Sequence, residues 1–114
     1  MTATVIFHNP KCSTSRKALE LLRNNGIEPN VVQYLKTPPT RDELACMIRA
    51  AGIDVRSAVR ARESLYAELD LAGASDDQLL DAMAEHPILI ERPFVVTPKG
   101  TRLARPVDTV REIL

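Results

Sequence analysis

Cys12 stands among small hydroxyl residues in the stretch Val5-Ile6-Phe7-His8-Asn9-Pro10-Lys11-Cys12-Ser13-Thr14-Ser15-Arg16-Lys17. A short apolar run ends at Phe7 and Asn9-Pro10 marks a turn. Ala18, Leu19, Leu21 and Leu22 then recur at the spacing of one helix face. The order predicts strand, loop, cysteine and helix, with Cys12 just before the helix opens. A helix start presents unpartnered N–H groups of partial positive charge, and a thiol placed there ionises more readily. The thiolate is the nucleophilic form. Arg16 and Lys17 fall in the first turn, where acids are favoured, and no acid follows until Glu20. A bound oxyanion would resolve that conflict. The plain alternative is an inert buried cysteine beside an ordinary turn.

Other side chains join Cys12 as candidates. His8, at the strand end, either polarises the thiol or is a hydrogen-bonded structural residue. Ser13, Thr14 and Ser15 either donate to a thiolate or cap the helix, and one of them is expected to cap. Arg92 precedes Pro93 and Arg105 precedes Pro106, which biases both arginines toward extended backbone. Arg60 lies in the basic stretch Arg56-Ser57-Ala58-Val59-Arg60-Ala61-Arg62. A guanidinium is a planar, permanently charged fork suited to oxyanions. Taken singly, each arginine also reads as a solvated surface charge. His86, beside Pro87, reads as a helix C-terminal residue without a chemical role.

Three other chemistries are excluded by spacing. A phosphatase loop needs arginine six positions after the cysteine, where Ala18 stands. A dithiol motif needs a second cysteine where Ser15 stands. The two cysteines and two histidines fall at spacings that build no metal site, so neither a metal nor a bound cofactor is expected.

The supporting elements follow from pattern. With 114 residues, 45% of them hydrophobic, one domain over 1–114 with a modest core is expected. Fifteen basic and fifteen acidic residues cancel, which argues against nucleic acid or an anionic membrane as partner. No apolar run approaches the roughly 18 residues of a membrane span, and the first residues lack a signal-peptide pattern. Two cysteines in such a chain point to a reducing, cytoplasmic setting.

Thr4 to Phe7 predicts a strand, the helix after Cys12 should stop at Gly26, and Asn30 to Leu35 predicts a second, parallel strand. Thr40 with Glu43 and Ser75 with Gln78 form capping boxes that start two helices. In the first, Leu44, Met47, Ile48 and Ala51 share a face and Cys46 points away, with Gly52 as the stop. In the second, which must end before Pro87, Leu79, Leu80 and Met83 carry the apolar pattern. Between them Asp54 can cap a short helix, and Leu65, Leu69 and Leu71 should turn inward. Phe94 to Thr97 and Thr101 to Ala104 predict a hairpin. A closing helix follows, with Pro106 in its first turn and Val107, Val110, Ile113 and Leu114 on its apolar face. The fold class is α/β: β–α–β, then a helical insertion at about 40–86, then β–β–α.

The blocks His8-Asn9-Pro10-Lys11-Cys12-Ser13-Thr14-Ser15-Arg16, Tyr34-Leu35 with Pro38-Pro39, His86-Pro87-Ile88-Leu89-Ile90 and Arg92-Pro93-Phe94-Val95-Val96 together resemble the glutaredoxin-linked arsenate reductase family. The resemblance implies a thioredoxin-like, mixed four-stranded sheet with the helical insertion between its halves. It implies Cys12 as the nucleophile, Arg60, Arg92 and Arg105 as ligands of the oxyanion, and His8 and Ser15 as aids to thiol ionisation. It also implies a cis Arg92–Pro93 bond at the start of the third strand. Ser13 stands where well-known members of that family have glycine.

The implied reaction reduces arsenate to arsenite through a Cys12–arsenic adduct. Glutathione is the co-substrate, and glutaredoxin the protein partner that resolves the resulting disulfide. Two alternatives share the fold. One is an Spx-type regulator that binds RNA polymerase, many of which carry the second cysteine that Ser15 replaces. The other is a general glutathione-dependent thiol oxidoreductase without arsenate activity.

Overall fold

β1 (Val5–His8), α1 (Ser13–Asn24) and β2 (Asn30–Gln33) form the expected β–α–β unit, with Val5 opposite Asn30 and His8 opposite Gln33 in a parallel ladder. In this computed structural model, which describes residues 3–114, the hairpin of β3 (Phe94–Thr97) and β4 (Gly100–Leu103) completes a four-stranded sheet in the order β2-β1-β3-β4. β1 runs antiparallel to β3, pairing Phe7 with Phe94, and β3 runs antiparallel to β4. The sheet is mixed and the fold is thioredoxin-like, as the resemblance implies.

Local chemistry accounts for the boundaries. β1 extends one residue past Phe7 and takes in His8. β2 stops at Gln33 because the chain turns there, with the Lys36 and Thr37 N–H groups both donating to the Gln33 carbonyl. α1 ends where Gly26 adopts φ 77, a left-handed conformation that costs glycine little. The side chains of Ala18 and Leu22 on α1 pack with Ile6, Val95, Ala104, Val110 and Ile113 into a core from which water is excluded. The closing segment Val107–Ile113 is a 3-10 helix and not an α-helix, and Pro106 precedes it in extended conformation instead of sitting in its first turn. Its Val110 and Ile113 are buried, and the Thr97 hydroxyl donates to the Ile113 carbonyl at 2.6 Å.

The chain divides into two compact units: the residues through Thr37 with Arg92–Leu114, and the helical segment Pro38–Glu91, which is broader at both ends than the expected insertion. In the helical unit, α2 (Arg41–Ala50) and α4 (Asp76–Glu85) pack together, and each opens with its full capping box. Arg41 on α2 pairs with Asp77 at 3.1 Å and Asp81 at 2.6 Å on α4. Leu44 and Ile48 are buried while Cys46 is exposed, the division that helix geometry requires.

Between α2 and α4 the chain departs from expectation. Asp54 makes no side-chain cap, and Val55–Ala58 is one 3-10 turn. α3 (Ser64–Glu68) ends at Leu69, which is 41% exposed and not turned inward. Asp70 follows at φ 53, where the chain reverses, and Leu71 beyond it is buried as expected. Among the described residues, no helix is long and apolar enough to cross a membrane.

Candidate active site

The loop between β1 and α1 is a turn closed on Asn9. The Cys12 N–H donates to the Asn9 carbonyl at 3.0 Å, and the Lys11 N–H donates to Asn9 Oδ1 at 3.0 Å. Cys12 emerges from this turn in extended conformation, φ −94 and ψ 122, and occupies the N-cap position of α1 without a side-chain capping bond. None of Ser13, Thr14 and Ser15 caps the helix, against expectation, because the turn delivers the cysteine itself to that position. All three hydroxyl residues therefore lie inside the first turn, which holds no acid.

That placement sets the thiol chemistry. Burial by itself pushes the Cys12 thiol up. The Ser15 backbone N–H, the Arg92 guanidinium and the Thr14 backbone N–H outweigh it, with the positive charge of Arg92 adding to the effect. The thiol consequently ionises below its ordinary value.

His8 is buried beside the loop, with Nδ1 2.6 Å from Ser15 Oγ, and the Asn9 N–H donates to the same oxygen at 3.0 Å. Burial lowers the His8 pKa, and the charges of Arg23 and Arg16 lower it further, so the imidazole is neutral at neutral pH. The neutral ring bonds the Ser15 hydroxyl, while Ser15 reaches the Cys12 thiol through its backbone N–H. Ser15 is itself fully buried.

Arg92 is buried, and its guanidinium lowers the Cys12 pKa by hydrogen bonding and by charge. The Arg92–Pro93 bond is cis, as the resemblance implies, and Arg105–Pro106, for which no such expectation was drawn, is cis as well. Arg105 Nη1 donates to the Arg92 carbonyl at 2.8 Å, so Arg105 fastens the strand entry that carries Arg92. Cys12, His8, Ser15, Arg92 and Arg105 thus belong to one unit and form one bonded neighbourhood.

Arg60 belongs to the helical unit. There Nε bonds Glu63 at 3.0 Å and Nη1 bonds Glu91 at 3.1 Å, and its backbone N–H donates to Leu89 at 2.7 Å. Its guanidinium is engaged by two carboxylates. Burial would lower the Arg60 pKa, but Glu91 and Glu63 hold it above its ordinary value. Among the described residues, no group of three or more His, Cys, Asp or Glu side chains could hold a metal ion. In the sequence Asn9 stands out only as part of a turn. Its pairing with Pro10 was the available signal, since Asn before Pro favours a turn closed by the Asn side chain.

The direction of the Cys12 shift has a testable consequence. Between the folded thiol value and the ordinary one of about 8.5, the unfolded chain holds a proton that the folded chain has released. The Cys12 contribution to stability is therefore present above the ordinary value and lost as pH falls through the folded one. Alkylation of Cys12 by iodoacetamide is expected to reach half its maximal rate below about 8.5. A midpoint at or above that value would show that the N–H groups and Arg92 do not govern ionisation.

The β–α–β unit, the hairpin entered through cis Arg92–Pro93 and the ionisable cysteine at the start of α1 define a thioredoxin-like protein with a single thiol at the active-loop position. The match to a family model over residues 7–113 makes the affiliation definite: the chain belongs to the ArsC family. It is 60% identical over its whole length to an arsenate reductase of Rhizobium meliloti, spanning 82% of that protein. It is 54% identical to an arsenate reductase of Escherichia coli K12, again over its whole length and 82% of the relative. The solved structure of an arsenate reductase from Vibrio cholerae superposes with a TM-score of 0.92 at 51% identity, covering 97% of each chain.

Proposed function

We propose that this chain is an arsenate reductase in which Cys12 is the nucleophile and glutathione and glutaredoxin supply the electrons. The observation that carries the chemistry is a Cys12 thiol at the N-cap of a helix whose first turn holds no acid, with its pKa lowered in part by the Arg92 guanidinium. One cation can then lower the thiol pKa and, with the N–H groups of the helix start, hold an oxyanion against the nucleophile. Relatives at 60% and 54% identity that are named arsenate reductases favour arsenate as that oxyanion.

The steps balance as follows. The Cys12 thiolate forms a sulfur–arsenic bond, and one arsenate oxygen leaves as water after protonation. The glutathione thiolate next attacks Cys12 Sγ. A sulfur–sulfur bond forms, the sulfur–arsenic pair stays on arsenic, and arsenic(V) becomes arsenic(III), released as arsenite. Two thiols have become one disulfide, which glutaredoxin reduces to regenerate Cys12. His8 and Ser15 assist ionisation, and Arg92 and Arg105 bind the oxyanion. Arg60 shares that role by resemblance to the family, at the expense of its pairing with Glu63 and Glu91. Residues 1–114 then serve as one catalytic domain in the cytoplasm, where thiols stay reduced.

The deciding experiment supplies glutathione, glutaredoxin, glutathione reductase and NADPH, and follows NADPH oxidation. A rate proportional to protein that vanishes without arsenate is expected. Turnover of a glutathione mixed disulfide, with no response to arsenate, would instead make the chain a general thiol oxidoreductase.

A further inference from the structure

We infer that Asn9 is the positioning residue of the nucleophile: its side-chain oxygen, by holding the Lys11 N–H, sets the turn that presents Cys12 to the start of α1. Asn9 is only 5% exposed although its side chain is a polar carboxamide. Such a group is retained in an interior when its hydrogen bonds are made. Asn9 bonds at three places in the loop, all at 3.0 Å: Oδ1 accepts from Lys11, the carbonyl accepts from Cys12, and the N–H donates to Ser15 Oγ.

Any residue at position 9 offers the backbone groups for the two main-chain bonds, so the side chain's own contribution is the Lys11 contact alone. That contact selects the turn. Asn at the first position and Pro at the second is a favoured turn pair, and the Asn side chain closes a ring onto the residue two places on. Pro10 offers no N–H to compete for the oxygen. The other clamp on the loop, Arg16 Nη1 to the Pro10 carbonyl at 2.8 Å, is exposed and so open to competition from water. Without Oδ1 the Pro10-Lys11 segment, both residues exposed, samples other turns. Cys12 then spends less time facing the N–H groups of Ser15 and Thr14.

The inference rests on Cys12 being the nucleophile, and its test reads the thiol directly, without arsenate. Iodoacetamide alkylation is followed against pH in a Cys46→Ser background, so that only Cys12 reacts. Asn9→Ala is expected to slow alkylation about threefold to tenfold below the wild-type midpoint and to converge with wild type at high pH, as for a shift of half to one pKa unit. Asn9→Gln keeps the carboxamide but is too long to close the ring, and should behave like Asn9→Ala. Asn9→Ser offers a hydroxyl acceptor that forms the same kind of ring, and should recover most of the wild-type profile.

Profiles of Asn9→Ala or Asn9→Gln that superpose on wild type would overturn the inference. So would losses equal at every pH that Asn9→Ser fails to repair, which indicate general damage to the fold. Should wild type show a lowered midpoint yet fail in the arsenate assay, the proposed function falls while the role of Asn9 stands.

Discussion

Cys12→Ser is expected to lower arsenate-dependent turnover by about 10³-fold or more, the scale on which loss of a nucleophile is felt, while Cys46→Ser stays within about twofold of wild type. A serine hydroxyl does not ionise near neutral pH and forms neither the arsenic adduct nor the disulfide that releases arsenite. Cys46 is exposed on α2, on the side opposite the buried Leu44 and Ile48, and takes no part in the core. Reduction of arsenate needs two electrons, and one thiol supplies only part of them, so the remainder must come from an external thiol. Steady-state rates with glutathione and glutaredoxin, together with mass spectrometry of the protein quenched during turnover, check both statements. A folded but inactive Cys46→Ser protein, or a Cys12–Cys46 disulfide trapped during turnover, would show that the donor is internal.

Arg92→Lys is expected to lower kcat/KM for arsenate by about 10²-fold, similar to the loss of one preorganised oxyanion donor. Lysine keeps the charge but not the fork, and it is more strongly hydrated, so it holds a buried position beside a sulfur less well. The same change should move the Cys12 alkylation midpoint upward, because the guanidinium bond to the sulfur is lost while part of its electrostatic effect remains. Folding should persist, since the Arg92 carbonyl still accepts from Arg105 and the β3–β4 hairpin is untouched. Circular dichroism and a urea midpoint establish the fold, and initial rates against arsenate concentration establish the effect. Wild-type kinetics in a folded Arg92→Lys protein would remove bidentate recognition by this residue from the mechanism.

Much of this arrangement is written locally. The two capping boxes appear where Thr40–Glu43 and Ser75–Gln78 place them, because a cap depends on neighbours within one helical turn. The β1–α1–β2 unit and the β3–β4 hairpin follow from runs of β-branched and apolar residues broken by turn residues, again within a few positions. Cys12 could be singled out for the same reason, since strand, Asn-Pro turn and helix start are contiguous.

What could not be read locally depends on bonds between distant residues or on competition for one position. Cys12, and none of the hydroxyl residues after it, stands at the N-cap position of α1 because the turn closed on Asn9 ends there. Leu69 is exposed just before Asp70 reverses the chain, and periodicity carries no sign of that reversal. Arg60 is held by Glu63, three residues away, and by Glu91, whose part no local pattern reveals because it lies far along the chain. The sequence by itself determined the elements, the reactive thiol and the family. Only the tertiary structure decided that Arg92 meets the thiol: antiparallel pairing of Phe7 with Phe94 lays the end of β1 alongside the entry to β3, and no spacing rule within a single segment carries that information.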